Sequence, residues 1–346
     1  MRDDPGLSTE GISACLDAHY GLGVASVSFL PIGYDPNAAV YEVVADDGDS
    51  YFLKVRLGKV NEASLLVPRA LIDLGVRNVL APLRTRSSGL WCPLDGHPGY
   101  SVVLFPFVGG QNAMVAGLSD DQWREFGRTL QAMHASGLGE QLRGRLPVET
   151  FSLPSAATVR RLLTLVDESG FEGPAAARLA AFWREHAGQI QRMIARAEAL
   201  GGVLRSRTSE RVLCHADIHA ANILVDDSGQ IRLIDWDGPL VAPKERDLLF
   251  VVGSKIARTV EPREEAMFFE GYSRVEVEQD ALIYYRYERI IEDLGEFGKS
   301  VFLDPYPGEQ ARAEDADLVM GFFAPGGMVE LAETVAPVGA GRRASS

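Results

Sequence analysis

The chain has 346 residues, of which 46% are hydrophobic and 24% charged; this is a soluble, globular composition, long enough for two lobes or domains. Its net charge of −14 speaks against nucleic acid as a partner, which requires a positive face, and favours a cationic substrate, with an acidic surface kept for solubility as the competing reading. No run approaches the roughly 18 apolar residues of a membrane span.

The N-terminus, Met1 to Gly6, is acidic and lacks an apolar signal core, so a cytoplasmic protein is expected. Cys15, Cys92 and Cys214 show no paired spacing, and neither a disulfide nor a cysteine metal site is expected.

In chain order, residues 8–20 predict a helix capped by Ser8 or Thr9, with Ile12, Leu16 and Tyr20 on one face. Runs at 24–31, 39–45 and 50–55 predict an antiparallel meander. The turn containing Gly33 is read equally as a phosphate cover or as an ordinary hairpin turn. Lys54 stands among apolar residues late in the third strand, where a kinase lobe holds the α and β phosphates of its nucleotide; an edge lysine that discourages aggregation is the alternative. Glu62 is a possible ion-pair partner for Lys54 on the next helix, but Pro68 predicts that this helix restarts near Arg69, which leaves its register open. Further strands are predicted at 79–82, 90–93 and 100–107. Composition then shifts from β to α, placing a hinge at 106–112. Pro106, Phe107 and Val108 are its candidate purine-facing residues, against a plain strand exit rich in Gly and Pro.

Beyond the hinge the pattern is helical. Ser119 and Gln122 form a capping box, followed by Trp123, Phe126, Leu130 and Met133 at helical spacing. His134 is read as a satisfied core or cap histidine. Helices are predicted at 154–168, 174–186 and 189–200, and a long one at 278–298 with Ile283, Tyr287, Ile290, Leu294 and Phe297 inward. Tyr285, Glu288 and Glu292 share another face of that helix, which is either a receiver for a substrate's ammonium groups or a solvated charge run. The tail 335–346 is expected to be disordered.

Residues 213–237 carry most of the chemistry. His215, Asp217 and Asn222 have the spacing H-x-D-x-x-x-x-N, and Asp235 follows where a second metal-binding carboxylate belongs. Phosphoryl transfer needs a base near the acceptor hydroxyl and a divalent cation to offset phosphate charge. Asp217 can be that base, while the amide oxygen of Asn222 and the carboxylate of Asp235 are hard ligands suited to Mg2+. The runs 222–225 and 231–234 flank turn residues and predict a hairpin that brings Asn222 beside Asp235. His215 is read as a brace for the loop rather than a proton shuttle. Asp247 is assigned a structural part, capping a helix and supporting the loop. Two other readings compete: His215 and His219 as zinc ligands, which a segment between β-like runs disfavours, and Asp217 with Asn222 as simple turn caps.

With Lys54, the hinge, His215, Asp217, Asn222 and Asp235 in order, the chain resembles the aminoglycoside phosphotransferase family along nearly its whole length. The segments 212–215, 242–248 and 284–293 look like the branch that contains spectinomycin phosphotransferases. The resemblance implies an α+β, bilobal protein-kinase-like fold with a small antiparallel-sheet N-lobe and a larger helical C-lobe. Its expected parts are a nucleotide-binding lobe at 1–105, the hinge, and a catalytic and substrate-binding lobe at 113–334. It implies ATP, with GTP still open, Mg2+, and phosphorylation of a hydroxyl on an aminocyclitol or aminoglycoside antibiotic, spectinomycin first, conferring resistance. Alternative acceptors are a nucleoside antibiotic, choline, homoserine or a thiosugar; a silent nucleotide-binding module is the reading from another class. Ala216 stands where protein kinases carry Arg, and Trp236 and Asp237 replace the Phe-Gly of their metal motif. These departures suggest constitutive activity on a small molecule.

Overall fold

Ser8 accepts a hydrogen bond from the Gly11 N–H and starts helix α1, Thr9–Tyr20, while Gly21 ends it at φ +71°, a left-handed cap that glycine adopts without a Cβ clash. The computed structural model describes residues 4–32, 37–305 and 308–334, so the turn at Gly33 and the tail 335–346 lie outside the described residues. The chain forms two compact units. One comprises residues 1–146, 215–239 and 267–273, and the other 147–214, 240–266 and 274–346.

In the first unit, strands β1 (Val24–Leu30), β2 (Ala38–Ala45), β3 (Ser50–Leu57), β4 (Cys92–Pro93) and β5 (Tyr100–Pro106) build an antiparallel sheet of order β1-β2-β3-β5-β4. The predicted meander is therefore its first half. Leu53 and Val55 of the central strand are completely buried, in one core with Ile12 and Leu16 of α1. Because strand side chains alternate, Lys54 between them points from the opposite face, paired in register with Val40 and Val103.

Two expectations for this region are corrected. Helix α2, Glu62–Asp73, runs unbroken through Pro68; the missing N–H bond is outweighed by burial of Leu65, Val67, Pro68 and Leu71. Residues 79–82 form no strand. Val79 makes one isolated parallel bridge to Leu233 and the Leu80 N–H donates to the Leu233 carbonyl, while Pro82 lacks the donor a ladder requires.

The predicted hairpin is present as Ile223–Asp226 against Ile231–Leu233. Strand β6, Gly110–Asn112, adds a third antiparallel strand to it, so the end of the expected hinge is sheet rather than loop. Gly110 sits at φ +140°, and a Cβ there would lie 2.2 Å from the Val225 carbonyl oxygen. Only glycine permits that strand contact. The capping box of Ser119 and Gln122 begins helix Asp120–His134 as predicted, and His134 shares a 2.6 Å hydrogen bond with the Tyr272 hydroxyl.

The second unit is mainly helical, with a short antiparallel pair, Val212–Cys214 against Leu240–Ala242. Its core gathers Val159, Leu162, Trp183, Ile194, Ile290 and Leu294. The helices predicted at 174–186 and 189–200 are one helix, Pro174–Ser206. Gly188 weakens such a helix by only about 1 kcal/mol, less than burial of Trp183, Ile190 and Met193 on either side supplies. The long helix Gln279–Phe302 is capped by Glu278, and its inward stripe of Ile283, Tyr287, Ile290 and Leu294 is buried as the spacing predicts, with Phe297 half-buried at its end. Asp247 is not a cap: it lies inside the short helix Glu245–Leu248, whose N-cap is Lys244, and is fully buried.

Candidate active site

The catalytic stretch is built on the turn between Cys214 and the hairpin. Residues 220–222 form a single 3-10 turn, capped by His219, whose Nδ1 accepts the Ala221 N–H at 3.2 Å. Immediately after the turn the chain enters the hairpin, and the Ile234 N–H donates to the Asn222 carbonyl at 3.0 Å. Asn222 is thereby held across from the residue that precedes Asp235, as the hairpin reading requires.

Asn222 also fixes Asp217. Its Nδ2 donates to the Asp217 carbonyl at 2.8 Å and to Asp217 Oδ2 at 3.2 Å. Both bonds use the amide nitrogen, which orients the amide and leaves Oδ1 as its acceptor atom. On the other carboxylate oxygen, His219 Nε2 stands 3.5 Å from Asp217 Oδ1. The Asp217 side chain is 41% exposed, open enough to meet a substrate while its geometry is fixed from two sides.

His215 is completely buried. Its Nδ1 accepts the Asp217 N–H at 3.3 Å, so the proton is on Nε2, which donates to the Ile234 carbonyl at 3.0 Å. The ring also packs against Trp236, with centroids 4.4 Å apart, and Trp236 Nε1 donates to the Leu233 carbonyl at 3.2 Å. His215 therefore ties the backbone of the catalytic loop to the strand that delivers Asp235, with both ring nitrogens engaged.

Two residues of the site occupy left-handed backbone conformations despite carrying a Cβ: Ala216 at φ +74° and Asp235 at φ +62°. Each costs of order 1 kcal/mol, and such strain is retained where surrounding contacts over-determine a functional position. Partial desolvation of its carboxyl first, then the neighbouring Asp237 and Asp217 charges, raise Asp235 above the ordinary aspartate range against the opposing pull of Lys54, although the residue as a whole is exposed. A carboxylate with two acidic neighbours is short of positive charge. A divalent cation held by Asp235 and Asn222 Oδ1 would supply it, and the donor set fits a hard metal ion.

Lys54 is paired with Asp237, Nζ to Oδ1 3.6 Å. Glu62 faces elsewhere, 3.7 Å from Arg145, with both side chains largely exposed. Asn61, the N-cap of α2, donates from Nδ2 to the Asp237 carbonyl at 2.8 Å. Asp237 and Asn61 are the residues that sequence reasoning did not single out. The available signal was an acidic side chain two positions after Asp235, on the same hairpin exit. Pro106 and Phe107 are exposed at the end of β5 and Val108 is half-buried.

The expected acceptor residues lie in the second unit. Tyr285 is fully buried, and Glu288 forms an ion pair with the half-buried Arg246 and accepts from the Tyr284 hydroxyl at 3.2 Å. Arg246 stacks over the Tyr285 ring at 5.4 Å. Burial, opposed by Arg246 and reinforced by Glu149 and Glu292, pushes the Glu288 carboxyl up to about 7. Glu288 is therefore a half-buried, paired carboxylate and not part of a solvated charge run.

The sequence pattern of the phosphotransferase enzyme family (APH) matches residues 27–283. The chain belongs to that family. Its members are small-molecule kinases, and the fold is theirs: a five-stranded antiparallel sheet in the N-terminal part and a helical C-terminal part. A crystal structure of spectinomycin phosphotransferase APH(9)-Ia in complex with ADP and spectinomycin is similar over 95% of this chain and 98% of that one, at 30% identity and TM-score 0.84. Its AMP-bound complex is similar at 28% identity and TM-score 0.81, over 96% and 100% of the two chains. An amicoumacin kinase in complex with AMP-PNP and Ca2+ shares the fold, at 14% identity and TM-score 0.61 over 96% of each chain. No helix among the described residues is long and apolar enough to cross a membrane.

Proposed function

We propose that this family member is an ATP- and magnesium-dependent kinase that phosphorylates a hydroxyl of spectinomycin or a closely similar aminocyclitol antibiotic in the cytoplasm, and so confers resistance. The observation that carries the acceptor is the similarity to a spectinomycin phosphotransferase across 95% of this chain and 98% of that one, at 30% identity. The acidic net charge of −14 agrees with a cationic acceptor.

In this reading Asp217 accepts the proton of the acceptor hydroxyl as its oxygen attacks the γ-phosphorus and the bond to the β-γ bridging oxygen breaks. Asn222 orients Asp217 through Oδ2, and its Oδ1 joins Asp235 in holding Mg2+, which when bound offsets charge on the phosphate oxygens. Lys54 binds the α and β phosphates, exchanging Asp237 for them as the nucleotide enters. Pro106, Phe107 and Val108 face the purine, within a nucleotide lobe at 1–105 and hinge at 106–112; the catalytic and acceptor parts occupy 113–334. Tyr285, Glu288 and Glu292 belong to the acceptor side, where Glu288 and Glu292 supply negative charge.

The test is incubation with ATP or GTP, Mg2+ and spectinomycin, followed by mass spectrometry of the antibiotic. One added phosphate, absent with Asp217→Ala, supports the reading. Turnover confined to another antibiotic, a nucleoside, choline, homoserine or a thiosugar in a parallel panel removes the acceptor assignment and keeps the chemistry. Nucleotide binding without turnover on any acceptor removes both.

A further inference from the structure

Phosphoryl transfer makes no use of three metal-ligating side chains that meet in the N-terminal unit. Cys15 and His19 are four residues apart on α1, and so on one face of the helix; Cys92 opens β4. Their ligand atoms all lie within 4.8 Å of one another. The pairing escaped the sequence because the two cysteines are 77 positions apart.

The distances suit a metal better than a disulfide. The two Sγ atoms are 3.6 Å apart, far beyond a sulfur–sulfur bond of about 2.05 Å. Two thiolates at about 2.3 Å from a tetrahedral zinc ion are separated by about 3.8 Å. Burial is uneven in a useful way: Cys15 and Cys92 are 1% and 3% exposed, whereas His19 is half-buried and lies at the surface side. The ring of His19 makes no hydrogen bond among the described residues, and the Cys15 thiol makes a long 3.5 Å contact to the Pro93 carbonyl besides its contact to Cys92. The buried Tyr20 hydroxyl stands beside this cluster, close enough to both sulfurs to feel them electrostatically.

We propose that Cys15, His19 and Cys92 form a zinc-binding site of two thiolates and one imidazole, with the fourth position open to water. Two thiolates neutralise the doubly charged ion, so the buried assembly carries no net charge. Binding releases the two thiol protons, which makes affinity rise with pH. The soft sulfur donors select zinc over magnesium, and the site is therefore independent of the metal that serves the kinase reaction. It clamps α1 to the strand at the edge of the sheet.

The test uses the full chain, purified in reductant, stripped with a chelator, reloaded with zinc and desalted. Metal is counted by elemental mass spectrometry for wild type, Cys15→Ser, Cys92→Ser and His19→Gln. Melting of each metal-free protein checks that it folds. Wild type is expected to retain one zinc per chain, and each variant at least about tenfold less; cobalt in its place should give a sulfur-to-metal absorption band lost in either serine variant. Zinc should also protect the two thiols from hydrogen peroxide. Equal zinc retention by wild type and by a Cys15→Ser, Cys92→Ser double variant overturns the proposal. So does formation of a Cys15–Cys92 disulfide by peroxide at an undiminished rate in excess zinc. None of these readouts depends on the kinase assignment.

Discussion

Replacing His215 with Phe separates a brace from a proton shuttle. The substitution keeps a ring against Trp236 but removes both nitrogens, and with them the 3.3 Å bond from the Asp217 N–H and the 3.0 Å bond to the Ile234 carbonyl. His215 is fully buried, so both partners are left without water; each unsatisfied group costs about 1–3 kcal/mol, or roughly 2–4 kcal/mol together with partial relaxation. For a chain of this size that corresponds to a fall in melting temperature of roughly 3–6 °C. The assay is thermal melting alongside the pH dependence of kcat on whichever acceptor the panel identifies. A brace predicts the loss in melting temperature and a lower kcat, with the shape of the pH profile retained. An unchanged melting temperature, together with loss of one limb of the pH profile, would refute the brace and make His215 a participant in proton transfer.

Four further outcomes follow from the geometry. Asp237→Asn should leave melting within about 0.5 kcal/mol of wild type, because its side chain is more than half exposed and its contact with Lys54 is long, while Lys54→Met raises the KM for ATP; equal KM values for Lys54→Met and wild type would remove the phosphate role. Asn222→Ala and Asp235→Asn should each raise the Mg2+ concentration for half-maximal activity by about tenfold or more, read from magnesium titrations at saturating ATP. Glu288 has its folded pKa raised to about 7, above an unfolded value of about 4.3, so the folded state binds the extra proton and its stability falls as pH rises between those values. The melting temperature of Glu288→Gln relative to wild type should accordingly improve from pH 5 to pH 8, whereas a worsening would mean that the Arg246 pair dominates burial. Gly110→Ala should lower the melting temperature by several degrees, since its Cβ would meet the Val225 carbonyl at 2.2 Å; a silent substitution would show that the β6 pairing is not needed.

What could be read from the sequence was local. Ser8 as a cap, the Ser119–Gln122 box and the hairpin at 223–233 rest on neighbours within a few positions, and each formed as its residues dictated. The spacing of His215, Asp217, Asn222 and Asp235 was legible for the same reason, since a single turn and hairpin bring them together. Misreadings arose where burial overrode a local signal, at Pro68 inside α2 and at Gly188 inside Pro174–Ser206. Pairings between distant positions left no local trace. Lys54 turned out to face Asp237 instead of Glu62, and Cys15 to face Cys92. Likewise, the charged stripe of Glu288 and Glu292 could not reveal from its own helix that Arg246 reaches it.

The three-stranded sheet of β6 with the hairpin joins two tasks that a chain diagram keeps apart. Residues 110–112, which continue directly from the stretch assigned to the purine, are hydrogen-bonded to the strand that follows Asn222, and that strand to the one that precedes Asp235. Since a strand slips only in whole residues, and a slip of one inverts every side chain, this ladder fixes where residues 110–112 stand relative to Asn222 and to the residue that precedes Asp235, so that neither end can shift by less than a whole residue without breaking it.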